Sequence, residues 1–369
     1  MAPSGVSVLF QYGTGEKGHG LSEDGKRKLH QPRGLRLASD GSLLVADFGN
    51  HSVFKFAPGD DKGCVVAGEA GKILPTVDPL KDIDRPLGPA EGEGHLLKRP
   101  VDACEDAQGG ILVLDTEACR LQRFPRGRGE RAKTLVPEVE QRSNNTPEAV
   151  KYPRAMHASP DGALIICDTW SHRLLRYTAA GGTPELLAGK PNSCGATAEK
   201  LAFPSGFVFD DEGGLLVADT NNHRVQRFAP GQVEGTTVAG SAEGIAGSGP
   251  GELQMPTGIC IDPTNGSIVV ADRANSRVLR FPAGSRAGQT AEILAGPEVL
   301  KAPWGVCVDA DGALYVSDER KASVFKLEVA AASQGAPVEK AAAEAPAVVE
   351  AAAERETKMS SAEDANELD

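Results

Sequence analysis

The chain has 369 residues, 43 of them Gly and 25 Pro, and a net charge of −12. No run approaches the roughly 18 apolar residues of a membrane-spanning helix, and the acidic balance argues against DNA or an acidic membrane surface as a partner. Seven Cys without a CxxC pair, and a first segment lacking the basic and apolar regions of a secretion signal, predict reduced thiols and a cytoplasmic, intracellular location.

The first element predicted in chain order is a strand over Val6-Ser7-Val8-Leu9-Phe10-Gln11. Gly13-Thr14-Gly15-Glu16-Lys17-Gly18 then matches GxGxxG, but no βαβ unit surrounds it, so no dinucleotide or other cofactor is expected. From Pro32 onward the chain repeats itself six times. The copies open at Pro32, Pro100, Pro153, Pro204, Pro256 and Pro303. Two residues on stands Gly34, Gly206, Gly258 or Gly305 in four of them, with Asp102 and Ala155 in the second and third. An Asp follows in every copy: Asp47, Asp115, Asp168, Asp219, Asp272 and Asp318. Beyond it come an aliphatic, a basic and in five copies an aromatic residue, as in Val225, Arg227 and Phe228.

Each copy reads as a strand after the Pro, a tight turn, a near-continuous apolar strand such as Leu215-Leu216-Val217-Ala218, a loop after the Asp, and a third strand. Five copies add a fourth: Cys64-Val65-Val66, Thr134-Leu135-Val136, Glu185-Leu186-Leu187, Thr236-Thr237-Val238 and Glu292-Ile293-Leu294. The pattern predicts an all-β, six-bladed β-propeller of four-stranded antiparallel blades. The sixth copy lacks a fourth strand, and the N-terminal strand is expected to complete it. Each repeated Asp is expected to accept hydrogen bonds from backbone N–H groups of the loop that follows it, an Asx-type turn. The Gly of Pro-x-Gly is expected to let innermost strands crowd near the axis, and the repeated Lys/Arg to be paired scaffold cations. Glu69–Lys98 is a long connection, expected to form a mobile flap over one face. The propeller is placed at residues 1–329. Residues 330–369, Ala/Glu-rich with nine acids and three bases, are expected to be a disordered acidic tail.

Pro204-Ser205-Gly206, Val217-Ala218-Asp219 and Asn222-His223-Arg224-Val225 together resemble the signature of the NHL-repeat family. Copies four and five are nearest to it; copy two departs most, with Ala118 in the Asn position. The resemblance implies a recognition domain. Family members of the ubiquitin-ligase type carry RING fingers and B-boxes, whose dense Cys/His spacing this chain lacks. The amidating lyase that resembles the family places His directly after the strand-opening Pro. Here those positions are Arg33, Val101, Arg154, Ser205, Thr257 and Trp304, so no metal-ligand set is expected at the axis. His51, His172 and His223 occupy the repeated loop position and are expected to be structural.

The loops before each Pro and after each Asp share one face, and their copy-to-copy variation points to a binding site. Arg33, Phe48, Arg154, Trp170, Arg273, Trp304 and Arg320 are the candidate partner-binding residues. Arg273, Trp304, Arg320, Arg33 and Phe48 are expected to form one exposed patch, because Arg and Trp are the composition of an interaction hot spot; the alternative is that Trp304 merely plugs the channel mouth. The function expected is a non-enzymatic, monomeric interaction platform that binds a protein partner on the loop face as a substrate-recognition or scaffold component. The alternative is single-stranded RNA stacked on the same face; a metal-dependent lyase or hydrolase is the least favoured reading.

Overall fold

A computed structural model describes residues 6–72, 95–126, 132–136, 150–178 and 183–329. The connection expected as a flap lies largely outside the described residues, and the expected acidic tail lies wholly outside them. The described residues form six four-stranded antiparallel sheets, the blades of a propeller. Blade four shows the plan. Its strands Gly206–Phe209, Leu215–Asp219, Arg224–Phe228 and Gly235–Gly240 pair in chain order. The second strand is buried along its whole length, as expected where both sheet faces are covered by neighbouring blades. Hydrophobic clusters therefore span adjacent blades: Leu216 and Val225 pack with Ile259, Ile268 and Phe281 of blade five. Blade six orders differently. Pro303–Val308, Leu314–Asp318 and Ser323–Glu328 are completed on the outside by Ser7–Tyr12, so the predicted closure by the N-terminal strand holds.

The innermost strands approach each other as the Pro-x-Gly pattern predicts. A Cβ on Gly258 would lie 2.4 Å from the Trp304 carbonyl oxygen, and one on Gly305 2.4 Å from that of Arg33. The repeated cations are also paired as expected: Arg227 with Asp210 at 2.6 Å, Lys55 with Glu105 at 2.7 Å, and Arg123 with Asp106.

The role of the repeated Asp differs from expectation. In every blade it accepts the backbone N–H of the residue two before the Pro, in the segment that precedes the blade. His30, Lys98, Lys151, Ala202, Gln254 and Lys301 donate to Asp47, Asp115, Asp168, Asp219, Asp272 and Asp318 at 2.6–2.7 Å. From the following loop, Asp318 accepts the backbone N–H groups of Arg320 and Lys321, and Asp47, Asp219 and Asp272 accept the side-chain amides of Asn50, Asn222 and Asn275 at 2.6–2.8 Å. In five blades that loop is a short 3-10 turn, ended by a left-handed residue at His51, Cys119, His172, His223 and Ser276. The turn directs the Asp side chain back toward the loop before the Pro.

The three repeated His residues join neighbouring blades. The Nδ1 atoms of His51, His172 and His223 accept the backbone N–H of Arg99, Phe203 and Met255 at 3.1–3.2 Å. Only a neutral ring can accept there. Burial pushes all three imidazoles below their ordinary pKa. With the folded pKa depressed, their stabilisation is complete above roughly pH 6.5 and lost as pH falls through the lower folded value. Thermal melts should therefore lose several degrees between about pH 7 and about pH 5. The loss should shrink in His172→Asn, since Asn tolerates left-handed backbone and does not titrate. An identical acid response in the variant would count against the clamp.

Candidate functional site

Two rings of positions meet where the loop face opens on the axis. One is the residue after each strand-opening Pro; the other is the residue after each repeated Asp. The second ring divides in half. In blades two, three and four it is Thr116, Thr169 and Thr220, whose hydroxyls donate to the carbonyls of Pro153, Pro204 and Pro256 at 2.7–2.9 Å. That bond ties each blade to the next. In blades one, five and six the position holds Phe48, Arg273 and Glu319 instead, which cannot make the same staple.

These three side chains gather around Trp304. The Arg33 guanidinium lies between two rings, 3.4 Å from the Phe48 centroid and 4.2 Å from that of Trp304. Arg273 and Arg154 approach the same indole at 5.3 and 5.4 Å. Glu319, buried, bridges two of the cations: Arg33 Nε donates to it at 2.7 Å and Arg273 Nη2 at 2.8 Å. Arg154 donates from Nη1 to Ser205 Oγ at 3.0 Å and has no ion pair among the described residues. Burial and the charges of Arg154 and Arg273, set against Glu319, push Arg33 down to about 10. Arg154 is lowered by burial and by Arg273. Both remain cations at neutral pH, held where water is scarce.

The structure thus brings together Arg33, Phe48, Arg154, Arg273 and Trp304, but not as the exposed patch expected. Trp304 is only 6% exposed: it fills the mouth of the axis beneath its guanidiniums. Arg320 does not join the cluster; it is exposed and forms no ion pair among the described residues. The reason is geometric. The first residue after the Asp faces the axis, whereas the second, Arg320 or Trp170, faces solvent. Glu319, not Arg320, is the residue of blade six that enters the site, and its place directly after Asp318 is the sequence signal for it.

Trp170 belongs to a separate aromatic shelf. It is 53% exposed and stacks at 4.9 Å on Tyr152, itself 39% exposed. Phe203 meets the Trp170 edge at 6.0 Å and packs against His172 at 4.6 Å. Tyr152 and Phe203 precede a Pro with φ of 45° and 49°. Gln31, Arg99 and Met255 share that left-handed backbone, so it belongs to the blade plan. Tyr152 is two residues from Arg154, which places shelf and mouth side by side.

Deeper along the inner strands stand Arg36, Cys104, His157, Val208, Cys260 and Cys307, each four residues after its Pro. Arg36 pairs with Asp102 at 3.2 Å. Burial pushes the Cys104 and Cys307 thiols up to about 12, so they resist becoming the thiolates a metal needs. Among the described residues no three His, Cys, Asp or Glu side chains converge with metal-holding geometry. All seven cysteines are free, and no described helix is long and apolar enough to cross a membrane.

Comparison with known proteins agrees with this architecture. The NHL repeat model matches residues 29–56, 201–228, 253–281 and 300–327, which are blades one, four, five and six. The chain carries NHL repeats, and blades two and three keep the plan with weaker signatures. It is 27% identical to peptidyl-glycine alpha-amidating monooxygenase A of Xenopus laevis over 184 residues, 47% of this chain and 19% of that protein. It is 28% identical to mouse NHL-repeat-containing protein 4 over 125 residues, 34% of this chain and 80% of that one. The chain thus spans about a fifth of the length of the amidating monooxygenase it matches. A gluconolactonase from Xanthomonas campestris superposes with a TM-score of 0.56 at 13% identity, covering 88% of this chain and 99% of its own. At that identity the likeness is one of fold.

Proposed function

We propose that this NHL-repeat β-propeller is a non-enzymatic interaction platform, monomeric and cytoplasmic, that binds a protein partner on its loop face. The observation that carries the reading is the exposed Tyr152–Trp170 shelf beside the guanidinium-ringed mouth. Exposed Trp and Tyr next to Arg supply large, rigid contact area and directional donors, which is how interface energy concentrates. The amidating monooxygenase, similar over a fifth of its length, and the gluconolactonase, similar in fold, are enzymes. The fold alone does not transfer their chemistry, and among the described residues no three metal-ligating side chains converge.

The shelf, not Trp304, is the place to test. Trp304 and Arg33 are packed into the mouth, so substituting them also disturbs the scaffold. Tyr152→Ala/Trp170→Ala removes exposed rings only. Full-length wild type and this variant serve as baits in lysate, with bound protein and RNA both quantified. A partner protein should be depleted about tenfold or more from the variant, the scale of a hot-spot truncation. Equal capture by both baits would sink the reading.

One observation favours the second reading, single-stranded RNA. Trp170 and Tyr152, with Arg154 two residues from Tyr152, offer a base a stacking surface and its phosphate a cation. Selective loss of RNA from the variant, with affinity falling steeply as salt rises, would promote it.

A further inference from the structure

We infer that the axial mouth is a carboxylate-binding site, recognising an acidic side chain of an extended peptide whose neighbouring apolar side chain rests on the Tyr152–Trp170 shelf. The inference rests on the platform reading and specifies its ligand.

The charge at the mouth is unbalanced by construction. Three guanidiniums surround one indole, and a single carboxylate, Glu319, serves two of them. Arg154 is left with one hydrogen bond to a neutral hydroxyl, although its cation is lowered by burial and by Arg273. Glu319 acts on Arg154 only at a distance, being bonded to the other two guanidiniums; a half-buried cation without an ion pair is destabilising to the free protein, and a ligand carboxylate relieves it. The fork of a guanidinium matches a carboxylate with two parallel donors.

The scaffold does not require this arrangement. Thr116, Thr169 and Thr220 show what the position after the Asp does when it serves the ring alone. Blades five, six and one give up that staple for Arg273, Glu319 and Phe48, which hold Arg33 and Trp304 in place. Arg33, fixed between Phe48 and Trp304 and bonded to Glu319, is committed to the structure; Arg154 is the donor that remains available. A peptide carboxylate is favoured over a nucleic acid because the chain as a whole carries −12. Long-range repulsion then opposes a polyanion, while a single acidic group meets only the local excess. The shelf two residues away supplies the apolar half of the recognition.

The test uses a fluorescein-labelled, end-capped peptide with a single Glu flanked by Leu in an otherwise neutral sequence, a matched peptide with Gln in place of that Glu, and labelled oligouridylate. Anisotropy titrations are run on the full-length wild type, Arg154→Gln, Arg154→Lys and Tyr152→Ala/Trp170→Ala. A thermal melt of each variant confirms that the propeller is intact. Wild type should bind the Glu peptide about tenfold or more tightly than the Gln peptide, the scale of a charge-assisted hydrogen bond. Arg154→Gln should erase that preference and Arg154→Lys retain part of it. The shelf variant should weaken both peptides. If Glu and Gln peptides bind equally and both depend on the shelf, the carboxylate site is overturned while the platform stands. If neither peptide binds, or oligouridylate binds more tightly than the Glu peptide, the carboxylate site is likewise overturned, and co-purification alone decides the broader reading.

Discussion

Removal of residues 1–12 should abolish the single cooperative melt of the propeller. The segment Ser7–Tyr12 is the outer strand of blade six, paired antiparallel from Ser7 opposite Glu328 to Tyr12 opposite Val324. It is the only strand of its sheet that comes from the other end of the described ring. Its last residue reaches blade one: the Tyr12 ring meets Phe56 of that blade at 5.3 Å and Phe10 of its own strand at 4.7 Å. Truncation would leave the Ser323–Glu328 edge unpaired, uncover the cluster around Phe56 and Val324, and free blade six from blade one. An open strand edge is also a template for association between chains. The expected result is a broad, low-temperature transition with concentration-dependent aggregation. Glutamate at Val8 or Leu9, both about half exposed, should change the melting temperature by no more than about 2 °C, since exposed substitutions cost at most a few tenths of a kcal/mol. An unchanged sharp transition in the truncated chain would rule out this closure.

The blade plan was legible in the sequence because it repeats. Six copies in one register expose any position with a fixed physical task. Gly258 illustrates it: only hydrogen fits where a Cβ would strike the Trp304 carbonyl. Ala155 and Asp102 at the same position mark blades whose inner strands leave more room. The candidate site was less legible for the same reason. Its residues are those that do not repeat, and their direction depends on one step along a 3-10 turn. Phe48, Arg273 and Glu319 are first after the Asp and face the axis, whereas Trp170 and Arg320 are second and face out. Composition alone does not separate these two sets. Nor does it decide that Trp304 is covered: the indole belongs to an apolar cluster with Val101 and Met156 of other blades and lies against Arg33, Arg154 and Arg273, residues that read in sequence as solvent-facing.

The same Asp→Asn substitution should have very different costs in two blades. Asp219 accepts from the Ala202 backbone at 2.6 Å, from Asn222 at 2.7 Å and from Arg224 Nε at 2.9 Å. Arg224 is almost wholly buried, and its remaining donors hold the carbonyls of Ala196, Thr197, Lys200 and Ala242. Asp219→Asn strands that cation without a counter-charge. The expected loss is about 3–5 kcal/mol in chemical denaturation, as for other broken buried pairs. Asp47 occupies the same position in blade one, but Ser52 stands where the Arg would be. Its carboxyl accepts from His30 and Asn50 and is pushed up to about 8, chiefly by burial, so it is largely neutral in the fold at neutral pH. Asp47→Asn should cost only about 1–2 kcal/mol, from turning the Asn50 amide away from its present partners. Because the folded pKa of Asp47 lies above the unfolded one, its contribution is complete below roughly pH 4 and declines as pH rises through the folded value. The gap between wild type and Asp47→Asn should therefore narrow from about pH 4 to about pH 8; burial raises Asp219 as well, but Asp219→Asn leaves the buried Arg224 without its partner, so its gap should remain the larger of the two across that range. Equal costs for the two substitutions would show that the repeated carboxylate acts only through its backbone hydrogen bond, and that the buried guanidinium contributes nothing to its worth.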